Sequence, residues 1–244
     1  MRAAKNSFGE LIKTLMVAGS IAIIFRSIFF EPFNIPSGSM IPTLLVGDYL
    51  FVSKYSYGYS KYSFPFGVVP INDRIFDKSP ERGDVIVFRK PGDESIDYIK
   101  RLVGLPNDTI QVKEGILFIN GKSVNRIKAN IGTMKNINGN QQTLIEYKET
   151  FEGSEYHKII EYSDIDNFDD TIEFKVPKDH FFFMGDNRDN SRDSRSSEVG
   201  FVPKKNLIGK AQIIFFSHDN SASFYEFWKW HKSIRFSRIG EAIK

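Results

Sequence analysis

The chain predicts a mainly β protein: an antiparallel β body with an inserted, smaller β subdomain, preceded by one N-terminal transmembrane helix. Three observations lead there. Short runs of β-branched and aromatic residues recur between Gly, Pro, Asn and Asp turns, without internal repeats and without a Gly-rich phosphate loop that opens a helix. The 244 residues include 23 Phe and 10 Tyr, a usage that leans toward pleated, half-buried surfaces. A single long apolar stretch, residues 11–30, precedes all of this.

Composition excludes several classes. The formal charge of +3 is mild and both signs are interspersed, so no nucleic-acid partner is expected. Cysteine is absent, which removes disulfides, a thiol nucleophile and thiolate-held metal. The four histidines, His157, His180, His218 and His231, have no ligand spacing. No metal site and no cofactor are therefore expected.

Residues 11–30 read LIKTLMVAGSIAIIFRSIFF. The apolar run is long enough to span a bilayer if Lys13 and Arg26 extend toward opposite faces. A cleaved leader would end in a small-x-small site, but Arg26, Phe29, Phe30 and Glu31 follow the core instead. A retained anchor is the expectation, with a buried or interfacial helix as the alternative. Arg2, Lys5 and Lys13 lie on the N-terminal side, which assigns residues 1–10 to the cytoplasm and the body to the outside. Pro32 would end the helix.

The body then divides into 31–108, an insert at 109–172, and 173–244. Residues 48–53 (DYLFVS) predict a strand, and 55–70 an irregular Tyr-rich loop. Residues 84–89 (DVIVFR) and 95–103 (SIDYIKRLV) predict a hairpin about the turn at Pro91, Gly92 and Asp93. Residues 109–112 and 116–120 predict a second hairpin pair, and Asn120-Gly121 predicts a turn. Residues 122–170 are polar and weakly patterned. Strands follow at 171–176, 180–184 and 207–216. The tail, 224–239, mixes six aromatic residues with basic ones: either a docked terminal element or a patch touching lipid headgroups.

Three blocks hold candidate chemistry. The first is Pro36-Ser37-Gly38-Ser39-Met40-Ile41-Pro42-Thr43, where the prolines stiffen the backbone around two serines. Ser39 is either a nucleophile or part of a turn that joins anchor to body. Ser37, two residues upstream on an extended segment, shares its face and could help the Ser39 N–H bind an oxyanion. A hydroxyl nucleophile needs a base. His180 is one option. Lys100 is the better one, because it alternates with Tyr98 and Leu102 on an apolar or aromatic strand face, where burial would lower its pKa. The third block, residues 185–195 (GDNRDNSRDSR), lacks the glycine and glutamate of a calcium loop. Its near-balanced charges suit a network of Asp–Arg pairs that holds a loop rigid.

Together the blocks resemble bacterial type I signal peptidases, membrane-bound serine proteases of the S26 class. Residues 35–44 are similar to that family's nucleophile segment, 98–106 to its base segment, 185–195 to its third segment, and 83–88 to the strand lining its substrate groove. The resemblance implies Ser39 as nucleophile, Lys100 as general base, Ser37 as oxyanion donor and Ser191 as the hydroxyl that orients the lysine. It implies structural roles near the site for Asp186, Arg188, Asp193 and Arg195. Ile35, Met40, Leu44, Ile86, Tyr98 and Ile99 would shape small S1 and S3 pockets for Ala-x-Ala-like ends. The implied partners are signal-peptide-bearing preproteins and membrane lipid, with the enzyme a monomer. Some relatives carry two membrane segments before the nucleophile, and this chain has one. The competing reading is a membrane-anchored β scaffold, which has no reason to bring Ser39, Lys100 and Ser191 together.

Overall fold

The computed structural model describes residues 2–64, 69–71, 73–135, 141–163, 168–223 and 225–244. Parts of the expected Tyr-rich loop (65–68), of the polar insert (136–140 and 164–167) and of the tail (Phe224) lie outside the described residues. Helix α1 spans Arg2–Ile28. Its apolar part, Phe8–Ile28, is 21 residues long, a rise of about 31 Å. The helix stops at Ile28, before Pro32, because the chain has already turned into a strand the sequence did not announce. That strand, β1 (Phe30–Asn34), contains Pro32 and sits at a sheet edge, the position where a missing N–H does least harm.

The body sheet has seven strands in the order β1, β2 (Asp48–Ser53), β14 (Leu207–Ser217), β3 (Val85–Lys90), β4 (Asp93–Gly104), β12 (His180–Met184) and β13 (Val202–Pro203), all paired antiparallel. The β3–β4 hairpin forms in the expected place, with Gly92 in the left-handed region at its turn. Its register sets Ile86 opposite Lys100 and Phe88 opposite Tyr98.

Between β4 and β12 the chain builds two smaller sheets. One is β11 (Phe174–Lys175), β5 (Thr109–Lys113), β6 (Ile116–Ile119) and β7 (Lys122–Ser123) in that spatial order. Asn120 and Gly121 both take positive φ in the β6–β7 turn, as the Asn-Gly pair requires. The strand expected at 171–176 shrinks to two residues, paired with Thr109 and Ile110. The other sheet is β10 (Tyr156–Glu161), β9 (Gln141–Thr150) and β8 (Asn125–Lys135). Three strands thus occupy a stretch whose sequence has little pattern. Two residues that β9 and β10 turn inward are polar, Glu149 and His157, so the period-two signal is lost.

Sheet faces explain the apolar runs. Along β3, Val85 and Val87 enter one buried cluster with Leu50, Val52 and Ile214, while Ile86 and Phe88 enter a second with Leu102 and Leu207. Along β12, Phe181 and Phe183 join that second cluster, and Phe182 and Met184 join a third with Ile110, Leu117 and Val103. A strand covered on both faces has no polar side to show, so HFFFM is continuous rather than alternating. The third cluster also fastens the inserted strands to the body.

Candidate active site

The first serine block crosses the body between β1 and β2, and the base candidate comes from the middle of β4. The fold brings them into contact: Lys100 Nζ is 2.6 Å from Ser39 Oγ and 3.1 Å from the Ile99 carbonyl. Both side chains are nearly sealed, with Lys100 5% and Ser39 8% exposed. Burial pulls the Lys100 amine down from its usual range to about 8, against the pull of the Asp193 and Asp186 carboxylates, which favour the charged form. The amine therefore carries a substantial neutral fraction just above neutral pH, and only a neutral amine can accept a proton from Ser39. Ser37 Oγ is 3.5 Å from Ser39 Oγ, on the same side.

A cleft of about 660 Å³ opens beside this pair. Of the expected substrate contacts, Ile35, Tyr98 and Ile99 line it. Met40, Leu44 and Ile86 are fully buried in the apolar clusters instead, behind the wall. Phe33, Val87, Ile96 and Phe168 line it too. Phe33 escaped sequence reasoning because β1 did; Val87 lies on the strand expected to line the groove, where Ile86 was named in its place because that strand is apolar on both faces.

Ser191 lines the same cleft, but among the described residues its buried Oγ makes no hydrogen bond to Lys100. It packs against Gly185: a Cβ built there would lie 2.2 Å from Ser191 Oγ and 2.5 Å from the Ser39 carbonyl oxygen. His180, the alternative base, sits at the start of β12 and pairs through Nδ1 with the Lys178 carbonyl at 2.8 Å, outside the cleft.

Most of the ion pairs seen in the third block reach outside it. Within it, Arg195 and Asp193 pair through two bonds of 2.9 Å. Asp186 receives both Nε and a terminal nitrogen of Arg101, each at 2.7 Å, and also the Thr43 hydroxyl. Burial alone would raise the Asp186 and Asp193 carboxyls, but the facing guanidiniums hold both below the usual range. Arg188 reaches into the inserted sheet and grips Glu149 with two nitrogens. Asn187 donates its backbone N–H to the Ser39 carbonyl and its side-chain amide to the Gly38 carbonyl, each at 3.1 Å. Arg101, Thr43, Asn187 and Glu149 were not singled out from sequence. Arg101 was hidden by its place among apolar neighbours on a strand, and Glu149 by a stretch without pattern.

Among the described residues no group of three or more His, Asp or Glu is arranged to hold a metal ion. A buried hydroxyl next to a depressed lysine amine, with a second hydroxyl alongside and an open cleft, can perform nucleophilic acyl transfer.

Comparison with known proteins agrees in kind. The family described as "Signal peptidase, peptidase S26" matches residues 8–216. The chain is similar to a signal peptidase I of Rickettsia typhi, 42% identical over 236 aligned positions, covering 90% of this chain and 88% of that one. It is similar to a signal peptidase I of Rickettsia conorii at 41% over 255 positions, covering 98% and 92%. A crystal structure of a signal peptidase I from Enterococcus faecalis V583 aligns at 26% identity and a TM-score of 0.31, over 55% of this chain and 97% of that one.

Proposed function

The chain belongs to the signal peptidase, peptidase S26, family, and from that premise we propose that it is a membrane-bound serine endopeptidase that removes N-terminal signal peptides from exported preproteins after small-x-small sites. The observation that carries this reading is the buried 2.6 Å contact between Lys100 Nζ and Ser39 Oγ.

The mechanism follows from that contact. Neutral Lys100 takes the Ser39 proton, and the alkoxide attacks the scissile carbonyl. The Ser37 hydroxyl and the Ser39 N–H hold the developing oxyanion. Lys100 then protonates the leaving amine and later activates the water that deacylates Ser39. Substrate lies extended along the cleft, its small residues facing the wall made by Ile35, Tyr98 and Ile99, with Met40, Leu44 and Ile86 packed behind. Ser191 shapes the floor from which the lysine reaches Ser39. One chain supplies both reacting groups, which supports a monomer as the working unit.

The apolar helix is the anchor. It crosses the bacterial inner membrane once, with the N-terminus in the cytoplasm and the body outside, a reading supported by its length and by the cations before it. Lipid contact is supported by a ladder of rings from the helix end across the body: Phe25, Phe30, Phe51 and Phe215 follow one another at centroid distances of 6.3, 6.1 and 4.3 Å. Tyr225, Phe227 and Trp228 of the tail are exposed beyond it.

The test is cleavage of a purified preprotein by the full chain in detergent, beside Ser39→Ala and Lys100→Ala. Both variants should fold and both should lose cleavage. Retained cleavage by either one overturns the dyad.

A further inference from the structure

The block at 185–195 is gripped from the inserted sheet by a buried ion pair, in addition to hydrogen bonds from Ile160 and Tyr162 on and after β10. Glu149, on β9, is completely buried, and its carboxylate receives two nitrogens of the buried Arg188, Nη1 lying 2.9 Å from Oε1 and Nη2 bonding Oε2. His157 Nε2, on β10, stands 3.1 Å from the other oxygen. Burial would raise the Glu149 carboxyl, but Arg188 and His157 hold it far below the usual range, so it is ionised. Burial keeps His157 low, with the Arg101 charge adding to the effect. The grip is thus one anion against one permanent cation, with the imidazole as a hydrogen-bond partner.

What Arg188 connects gives the grip its meaning. Its carbonyl accepts a 2.5 Å bond from Arg195, whose guanidinium holds Asp193. Asp193 in turn accepts the Gly185 N–H and is the strongest single charge acting on the Lys100 amine. On the other side of Arg188, Asn187 fastens the carbonyls of Gly38 and Ser39. The same segment is braced along β10, where the Ile160 N–H donates to the Asp186 carbonyl at 2.9 Å. The side chain of Arg188, together with the bonds from Ile160 and Tyr162, therefore helps fix a stretch of backbone that touches both the nucleophile strap and the field around the base.

We infer that Glu149 is a positioning residue for the peptidase reaction, acting through Arg188 to set the geometry of Ser39 and the environment of Lys100 from the inserted sheet. This rests on the function proposed above. It makes the insert part of the catalytic architecture, although no atom of Glu149 reaches the cleft.

The experiment compares steady-state cleavage of one preprotein by the parent, Ser39→Ala, Glu149→Asp, and the double variant Glu149→Gln with Arg188→Met, all as full chains in detergent. Glu149→Asp keeps both charges and shortens the reach. The double variant leaves no buried charge unpaired and keeps an amide for His157, so the fold is retained. A misplacement of about 1 Å lowers kcat by roughly tenfold to a hundredfold with KM within about twofold. A loosened loop also lets water reach Lys100, so the midpoint of kcat/KM against pH moves upward from the parent value. Either variant melting cooperatively with parental kcat and midpoint overturns the inference. So does activity lost only together with the melting transition in both, which leaves Glu149 a purely stabilising role. A parent that does not cleave, or Ser39→Ala that does, overturns the proposed function itself. An active parent matched by its variants overturns the positioning role alone.

Discussion

The Lys100 ammonium nitrogen and the Ser39 hydroxyl are 2.6 Å apart, although 61 residues separate them in the chain. Strand β4 carries the lysine into a sealed position, and burial lowers its pKa to about 8. The same burial that makes the amine a base costs the folded state stability, and both consequences can be measured.

Activity follows the neutral fraction of Lys100. With a folded pKa of about 8, kcat/KM should rise roughly tenfold per pH unit below that value and level off above it. A pH series of cleavage rates checks this. A flat profile between pH 6 and 9 would remove the lysine from the proton transfer.

Stability moves through the same group. The unfolded lysine titrates at 10.5 and the folded one at about 8, so below pH 8 both states are protonated and the full penalty is present. Between 8 and 10.5 the unfolded state binds more protons, so stability rises with pH. Lys100→Met should therefore be more stable than the parent by up to about 3 kcal/mol at pH 7. The gain should shrink as pH passes from 8 to 10.5. Urea titrations at several pH values read it, and a gain independent of pH contradicts the account.

Gly185 leaves no room for a side chain between Ser191 and the Ser39 carbonyl. Gly185→Ala must push the backbone contact at 2.5 Å apart, because one of its atoms belongs to the nucleophile strap. A fall in kcat of about a hundredfold is expected with the fold intact. Parental kcat in a folded Gly185→Ala protein would show that the strap tolerates displacement.

Arg101 and Asp186 are a buried pair with two bonds of 2.7 Å. Arg101→Met should cost about 3–5 kcal/mol, since it leaves a buried carboxylate unpaired. Adding Asp186→Asn should restore most of that loss. Chemical denaturation of the single and double variants decides, and equal stabilities would mean the charges are not coupled.

The loss of Ser37 should be milder than that of Ser39. Its hydroxyl is placed beside the nucleophile at 3.5 Å and serves charge developing only in the transition state. Ser37→Ala should lower kcat by about a hundredfold with KM nearly unchanged. A change confined to KM would assign Ser37 to substrate binding instead.

Much of the molecule was legible along the chain. The apolar helix, the β3–β4 hairpin and the Asn120-Gly121 turn are local events, written in run length, alternation and backbone preference. The pairing of Ser39 with Lys100 could be expected because each stood out against its own neighbours: a serine between prolines, and a lysine on an apolar face. Strand β1 was missed because Pro32 speaks against a strand unless the strand is an edge, and edge position is not a local property. Strands β9 and β10 were missed as pattern because inward positions there hold Glu149 and His157, and β8 because none of its described side chains is buried.

Residue types and their order thus determined which groups this chain can bring to chemistry: a serine between prolines, a lysine on an apolar strand face, and a loop rich in Asp and Arg. Only the tertiary structure decided where those charges close. Asp186 finds Arg101 on β4, and Arg188 finds Glu149 on β9, because ion pairing acts through space while sequence patterns report only neighbours a few residues apart. The depression of Lys100 was decided in the same way, since it depends on how completely three-dimensional packing removes water from one amine.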